Sequence, residues 1–391
     1  MRHSAGAEDP LTRLRRWLTE KALPLWASVG WDDREGQFVE QLNLSGTPLL
    51  DVPRRVMVQS RQIFVYATAH RRGWFKEGDV LVRRAVDVMI DRYLEPDGMP
   101  GWAFSTDRSG AVVDGRRDLY AHAFVLLALA MAHQWSGDRY YADLARRTLH
   151  FLDAEMAHPA GGYIEALPLS DGPRRQNPHM HLLESLLVWY SIAPKEDFLA
   201  RAQAVVLLLE RHFVQIGARD SRIVLTEYFD DDLVPLYGPD YVFEPGHHFE
   251  WVWLLGEYSR LRGEPFHPIA RELWDSGVLL GFGEHGLIFD EVAASGAVAS
   301  ASTRLWPYAE YIKASSLGFP LPAHVLSRNR DDVIERLLKS FLYPARPGAW
   351  FDHLDEAGRL KRDNVPASSL YHLCCAIDQS EAALDLSQTQ A

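Results

Sequence analysis

Two short stretches of this sequence crowd histidine. "EPGHHFEW" at 244–251 sets His247 beside His248, with Glu250 three residues after the first. "NPHMHLLE" at 177–184 carries His179 and His181, with Glu184 three residues after the second. The chain has 16 histidines in 391 residues, so such doublets ask for a cause. Histidine has an ordinary pKa of about 6.5 and can take and return a proton near neutral pH. A glutamate three residues along a helix shares its face, and a carboxylate beside imidazole fixes the tautomer and raises basicity. His247 with Glu250, and His181 with Glu184, are therefore the expected pairs, while His248 faces elsewhere with Trp251 and packs. Histidine and glutamate also bind divalent ions. HExxH is absent, however, and the two cysteines, Cys374 and Cys375, are far from both stretches. Proton transfer is the better reading, with no metal.

The elements that must position these residues are helices. Helical periodicity recurs over 10–28, 53–71, 76–94, 118–136, 139–156, 177–193, 195–214, 246–261, 266–280, 302–317, 321–342 and 366–385, twelve segments in all. Long loops rich in Gly, Asp and aromatics alternate with short turns such as "SGD" at 136–138 and "RGEP" at 262–265. The unit is long loop, helix, short turn, helix. Every second helix begins near 53, 118, 177, 246, 302 or 366, a spacing of roughly 60 residues that reads as an internal repeat. These helices are the more apolar set and form the inner layer of a ring, one all-α domain over 1–391 with loose ends at 1–9 and 386–391. The competing arrangement is an open solenoid of the same pairs.

The inner helices carry polar residues early in their length. They are Arg61; Tyr120 and His122; Asn177, His179, His181 and Glu184; His247, His248 and Glu250; Trp306 and Glu310; Tyr371 and His372. Buried charge and imidazole are costly unless paired or functional, and any one of these residues alone reads as ordinary packing. Six helices aiming polar groups at one mouth is the pattern of a pocket. Trp102, Tyr120, Trp251, Trp306, Trp350 and Tyr371 are the expected mouth aromatics, suited to the apolar faces of a polyhydroxylated ligand.

Composition narrows the class. The formal charge of −12 disfavours nucleic acid and anionic lipid, which need clustered Lys and Arg. The first residues, "MRHSAGAEDP", lack an apolar leader, and the run "FVLLALAMA" at 124–132 is too short to span a membrane. Adjacent cysteines read as two small apolar residues on one helix, fitting a reducing cytoplasm. "GFGEHG" at 281–286 matches GxGxxG, but a helix precedes it and a short strand follows, the reverse of a dinucleotide site. There is no P-loop and no GxSxG elbow.

"RDLYAHAF", "NPHMHLLE", "PGHHFEW", "RLWPYAEY" and "SSLYHL", in that order between about residues 50 and 375, resemble the N-acylglucosamine 2-epimerase superfamily. Within it, "PGHHFEW" and "RLWPYAEY" are most similar to the mannose isomerase and sulfoquinovose isomerase branch. The resemblance implies an (α/α)6 barrel and cofactor-independent aldose–ketose isomerisation of a monosaccharide, D-mannose with D-fructose, or related aldoses such as D-lyxose. It implies His247 and His372 as the general acid and base at C1–C2, and His181 as an aid to ring opening. Glu250 becomes the carboxylate partner of His247, and Arg61 the group that holds the enediolate. Tyr120, Asn177, Glu184 and Trp306 become substrate-binding positions. Sugar 2-epimerisation shares the same intermediate and remains an alternative. Sulfoquinovose isomerisation is another, although its sulfonate contacts find no match here. A glycoside hydrolase would need two carboxylates across the bond, where this mouth is mostly histidine. The sequence is compatible with a homo-oligomer.

Overall fold

A computed structural model describes residues 8–390 apart from 170, 195–196, 218–220, 239, 284 and 344–345, with the side chains of 386–390 also left aside. The expected loose end at 1–9 therefore falls mostly outside the described residues. Helix α1 (Pro10–Trp17) runs through one π turn into α2 (Leu23–Ser28). The remaining helices are α3 (Val56–Arg71), α4 (Gly78–Tyr93), α5 (Leu119–Ser136), α6 (Arg139–Phe151), α7 (Gln176–Ile192), α8 (Phe198–Leu208), α9 (Pro245–Arg262), α10 (Pro268–Leu280), α11 (Trp306–Ser315), α12 (Arg330–Ser340) and α13 (Ser369–Gln390).

Local chemistry sets their ends. Asp118 and Asp138 cap α5 and α6 by accepting the backbone N–H of Ala121 and Tyr140, satisfying donors that the first turn leaves orphaned. Pro245 and Pro268 occupy first-turn positions, where a missing N–H costs nothing. Gly137 and Gly263 close α5 and α9 with φ of 71° and 68°, a left-handed conformation that glycine adopts without a Cβ clash.

The ring closes. Helices α3, α5, α7, α9, α11 and α13 pack each on the next, and α13 returns to α3. Outside them α4, α6, α8, α10 and α12 each pack on the inner helix before them, and α1 covers α13. This is an (α/α)6 barrel rather than an open solenoid. The inner helices are buried nearly all round: 13 of the 16 residues of α3 and 14 of the 18 of α9 are buried. Outer helices such as α4 and α6 bury one stripe, as a helix with one solvent face must.

A second ring lies over the mouth. A strand of two or three residues, with at most two residues between it and the inner helix that follows, pairs with the loop following the next outer helix. Arg54–Arg55 pairs with Ser105–Thr106, Arg117–Asp118 with Ala166–Leu167, and Arg174–Arg175 with Tyr228–Phe229. Val242–Phe243 pairs with Glu291–Ala293, and Thr303–Arg304 with His353–Leu354. Asn364–Pro366 pairs with Gln41–Asn43 near the other end of the chain, so the loop ring closes as the helix ring does. These small antiparallel ladders fix where each inner helix starts and hold its first turn at one mouth.

Candidate active site

A cavity of about 220 Å³ opens at that mouth, lined by residues from every inner helix. Arg61 comes from α3, Tyr120 from α5, Asn177 and His181 from α7, His247 and Glu250 from α9, Trp306 from α11, and Ser369 and His372 from α13. The rim adds Glu244, Arg304, Asp352, Arg362 and Ser368. Of the acid–base and substrate-binding positions that the resemblance implies, all line this cavity except Glu184, which stands behind His181.

Three histidines face this cavity, and each is held from behind by a carboxylate. His181 Nδ1 lies 3.0 Å from Glu184 Oε2. His372 Nδ1 lies 2.6 Å from Glu310 Oε1. His247 Nδ1 lies 3.0 and 2.9 Å from the two oxygens of Glu227. In each ring Nδ1 is committed to the acid, which leaves Nε2 for the cavity.

The partner of His247 differs from the expected one. Glu250 lies on the same helix face, but its Oε1 sits 3.7 Å from His181 Nε2 instead. The carboxylate of Glu227 reaches His247 from the loop strand region before Tyr228–Phe229. Glu227 is fixed in turn by Gln176 Nε2 at 2.8 Å and by the backbone N–H of Glu244 at 3.2 Å. Gln176 Oε1 accepts the indole N–H of Trp251 at 2.7 Å. An i,i+3 rule sees only one helix, whereas this acid arrives through tertiary packing.

A repeated signal could have found Glu227. Acids recur at the same place in the mouth loops, in "FVEQ", "YIEA", "LTEY", "IFDE" and "WFDH". Glu40 binds the backbone N–H and side chain of Arg55, and Glu165 does the same for Arg175. Glu227 accepts the equivalent backbone N–H but spends the rest of its carboxylate on a histidine. Glu310 was visible as a polar residue of its helix, but its pairing with His372, across α11 and α13, was not.

Electrostatics divide the three rings. Burial alone would push His247 down, but Glu227 and Glu244 outweigh it and raise its pKa to about 9, so it is an imidazolium at neutral pH. Burial lowers His372 despite Glu310, and lowers His181 to about 4 despite Glu184. Both are neutral bases. Glu250 is pushed well up, first by burial and then by Glu310, so its carboxyl is a neutral hydrogen-bond donor. His247 and His372 flank the indole of Trp306, with ring centroids 5.1 and 5.7 Å away.

Arg61 is clamped by rings, its guanidinium carbon 4.2 Å from the Phe124 centroid and 5.0 Å from that of Tyr371. It donates to Tyr120 Oη at 2.6 Å and to the Ser368 carbonyl at 3.3 Å. Buried Arg61 Nε, Asn177 Oδ1 and Glu250 Oε1 have no hydrogen-bond partner in the protein. Buried polar atoms need partners, and hydroxyls of a polyol would supply them.

Not every candidate belongs to the site. His122, His179 and His248 are buried and bonded wholly to backbone. Of the expected aromatics only Tyr120 and Trp306 line the cavity. Trp102 donates to Thr148, Trp251 to Gln176, and Trp350 stacks on Trp26. Tyr371 backs Arg61. Three groups, His181 with Glu184 and Glu250, Glu227 with Glu244 and His247, and Glu250 with Glu310 and His372, each place ligand-type atoms within 4.8 Å of one another. The Lys313 ammonium lies 3.0 Å from Glu310 and 3.8 Å from Glu184.

The N-acylglucosamine 2-epimerase family model matches residues 36–376. The chain belongs to that family. It is 33% identical to "Mannose-6-phosphate isomerase" of Rhizobium meliloti over 95% of this chain and 96% of that one. It is 28% identical to "D-mannose isomerase" of Thermobifida fusca over 62% and 61% of the two chains. In three dimensions it superposes on a D-mannose isomerase crystal structure with TM-score 0.83 at 20% identity, covering 97% of this chain and all of that one. Cellobiose 2-epimerase from Spirochaeta thermophila superposes with TM-score 0.81 at 20% identity, over 96% and 97%. The chain is thus an enzyme of the sugar isomerase and epimerase class, built on the barrel those proteins share. Among the described residues no helix is long and apolar enough to cross a membrane.

Proposed function

We propose that this enzyme interconverts D-mannose and D-fructose by proton transfer through a cis-enediolate. The observation that carries the reading is the pair of histidines that flank Trp306, His372 held by Glu310 and His247 held by Glu227, with burial lowering the first ring and Glu227 and Glu244 raising the second. His372 takes the proton from C2 of the open-chain aldose. The C–H electron pair becomes the C1–C2 double bond, and the carbonyl pair moves to O1. His247 and Arg61 stabilise that oxygen, as positioned donors do for developing negative charge. Transfer of the O2 proton to O1 and return of the first proton from His372 to C1 give the ketose. His181, on Glu184, assists ring opening by moving a proton on the ring oxygen. Asn177, Tyr120, Trp306 and protonated Glu250 hold the remaining hydroxyls.

Cavity size supports a monosaccharide. About 220 Å³ is below the 300–1,000 Å³ typical of pockets for drug-sized ligands, which speaks against a disaccharide such as cellobiose. The relatives named as mannose isomerases support the isomerase branch over 2-epimerisation, in which His247 would return a proton to the opposite face of C2. A second reading takes the 6-phosphate of the same sugar, because exposed Arg362 at the rim offers a guanidinium to an anionic C6 group. The buried free thiols of Cys374 and Cys375 fit a cytoplasmic setting.

The test is incubation with mannose, mannose 6-phosphate, fructose, glucose and cellobiose in D₂O, with products read by NMR and with EDTA present. Fructose from mannose is expected. A 2-epimer deuterated at C2 and no ketose would replace isomerisation with epimerisation. Turnover of the phosphate alone, abolished in Arg362→Gln, would select the second reading.

A further inference from the structure

Beneath the site lies a buried lysine that the chemistry above does not use. Lys313 sits one turn after Glu310 on α11 and is wholly buried. Its Nζ is 3.0 Å from Glu310 Oε2 and 3.8 Å from Glu184 Oε1. Those two carboxylates turn their other oxygens to His372 and His181. Nζ makes no aligned hydrogen bond, so the tie is ionic, and it rests 4.3 Å from the Trp253 ring centroid. One ammonium therefore joins the acids behind two different cavity histidines on α7 and α13.

We propose that Lys313 is a positioning residue, which keeps Glu184 and Glu310 both ionised so that His181 and His372 both present a neutral Nε2 to the sugar. The inference rests on the proton-transfer reading of the site. Three glutamates, on α7, α9 and α11, converge here, and like charges in a buried cluster cannot all ionise without a counter-charge. Glu250 takes the neutral state. Glu184 is lowered to about 2 and Glu310 is lowered as well, in each case against burial and with Lys313 as the leading favourable charge. Burial would lower Lys313, but Glu310 and Glu184 hold it up. The other titratable groups facing this cluster are Arg61 on α3, which disfavours charge on His372, and Tyr371 and Cys375 on α13, both pushed up by burial and uncharged.

Lys313 is reached from the far end of the barrel. A separate cavity of about 460 Å³ has Thr68, Gln134, Glu184, Trp253, Lys313 and Cys375 among its lining residues. A small amine entering there would not compete with sugar at the mouth.

The experiment uses the full chain with Lys313→Met, Lys313→Arg and Lys313→Ala. Without the ammonium, the Glu310–His372 pair holds its proton to higher pH, so the acid limb of kcat/KM moves up. In Lys313→Met, kcat is expected to fall about tenfold to a hundredfold, part of the 10²–10⁴ that a positioned acid–base group contributes, with KM little changed. Lys313→Arg keeps the charge and should keep the acid limb. Propylammonium, which replaces the atoms removed in Lys313→Ala, should restore kcat without competing with sugar. A Met variant with wild-type kcat and acid limb overturns the proposal. So does a loss of kcat with an unmoved limb and no amine rescue, which is mere destabilisation. If Lys313→Met does not fold, a shifted limb in Lys313→Arg overturns it. Ring-proton NMR titration of His372, expected to move up in Lys313→Met, needs no sugar. It decides the role of Lys313 even if wild-type enzyme turns over none of the sugars tried.

Discussion

Two sets of three histidines sit on the inner helices and use their nitrogens in different ways. In His122, His179 and His248, Nε2 accepts a loop N–H, from Trp102 at 3.1 Å, Tyr163 at 3.0 Å and Leu225 at 2.9 Å. Their Nδ1 atoms donate to the carbonyls of Asp118, Arg175 and Leu273. Both nitrogens are spent on backbone, and burial lowers these rings to about 4, 4 and 3. They clip the mouth loops to the helices. In His181, His247 and His372 the Nδ1 partner is a carboxylate and Nε2 is left over. The lesson is that the partner decides the work. A carbonyl fixes a neutral, inert ring, whereas a carboxylate makes a ring whose second nitrogen can exchange protons. Other repeats confirm that clipping does not require imidazole. Gln59 Oε1 accepts the N–H of Phe38 at 2.9 Å, and Tyr308 Oη accepts that of Ile288 at 3.0 Å.

The largest effect should come from the cavity set. His372→Asn and His247→Asn should each lower kcat by about 10²–10⁴ while thermal unfolding stays near that of the parent. Near-parent turnover in either variant would break the division between the two sets.

A smaller and more diagnostic change is Glu227→Gln. The raised pKa of His247 means its proton stays on up to about pH 9, so the alkaline limb of parent kcat/KM should lie near that pH. Removing the Glu227 charge removes the main upward push, and the alkaline limb should move to lower pH. An unmoved limb would show that Glu227 is not the group that charges His247.

The clip set should show up in stability. His248→Ala strands the buried N–H of Leu225, worth about 1–3 kcal/mol, with kcat per folded molecule retained. His248→Gln should lose less, because Gln59 already performs this role in the first repeat. Urea denaturation of both variants measures the difference. Equal losses would mean that the ring fills space rather than accepting a hydrogen bond.

The sequence by itself determined the helices, their pairing and the end of the ring at which polar groups gather, because periodicity, caps and turn residues act over a few positions. It determined that His181 pairs with Glu184, since both lie on one helix face. It also separated His248 from His247, because neighbours on a helix point about 100° apart. It did not separate His122 and His179 from the site, since a histidine that clips a loop and one that faces the cavity are the same residue type on the same helices. Only the tertiary structure decided that His247 leans on Glu227, that His372 leans on Glu310 across two helices, and that Lys313 ties two of the acids together. Those contacts span 20, 62 and 129 residues of chain. A pKa is set by whichever charges and how much protein surround a group in space, and no local pattern in a sequence carries that information.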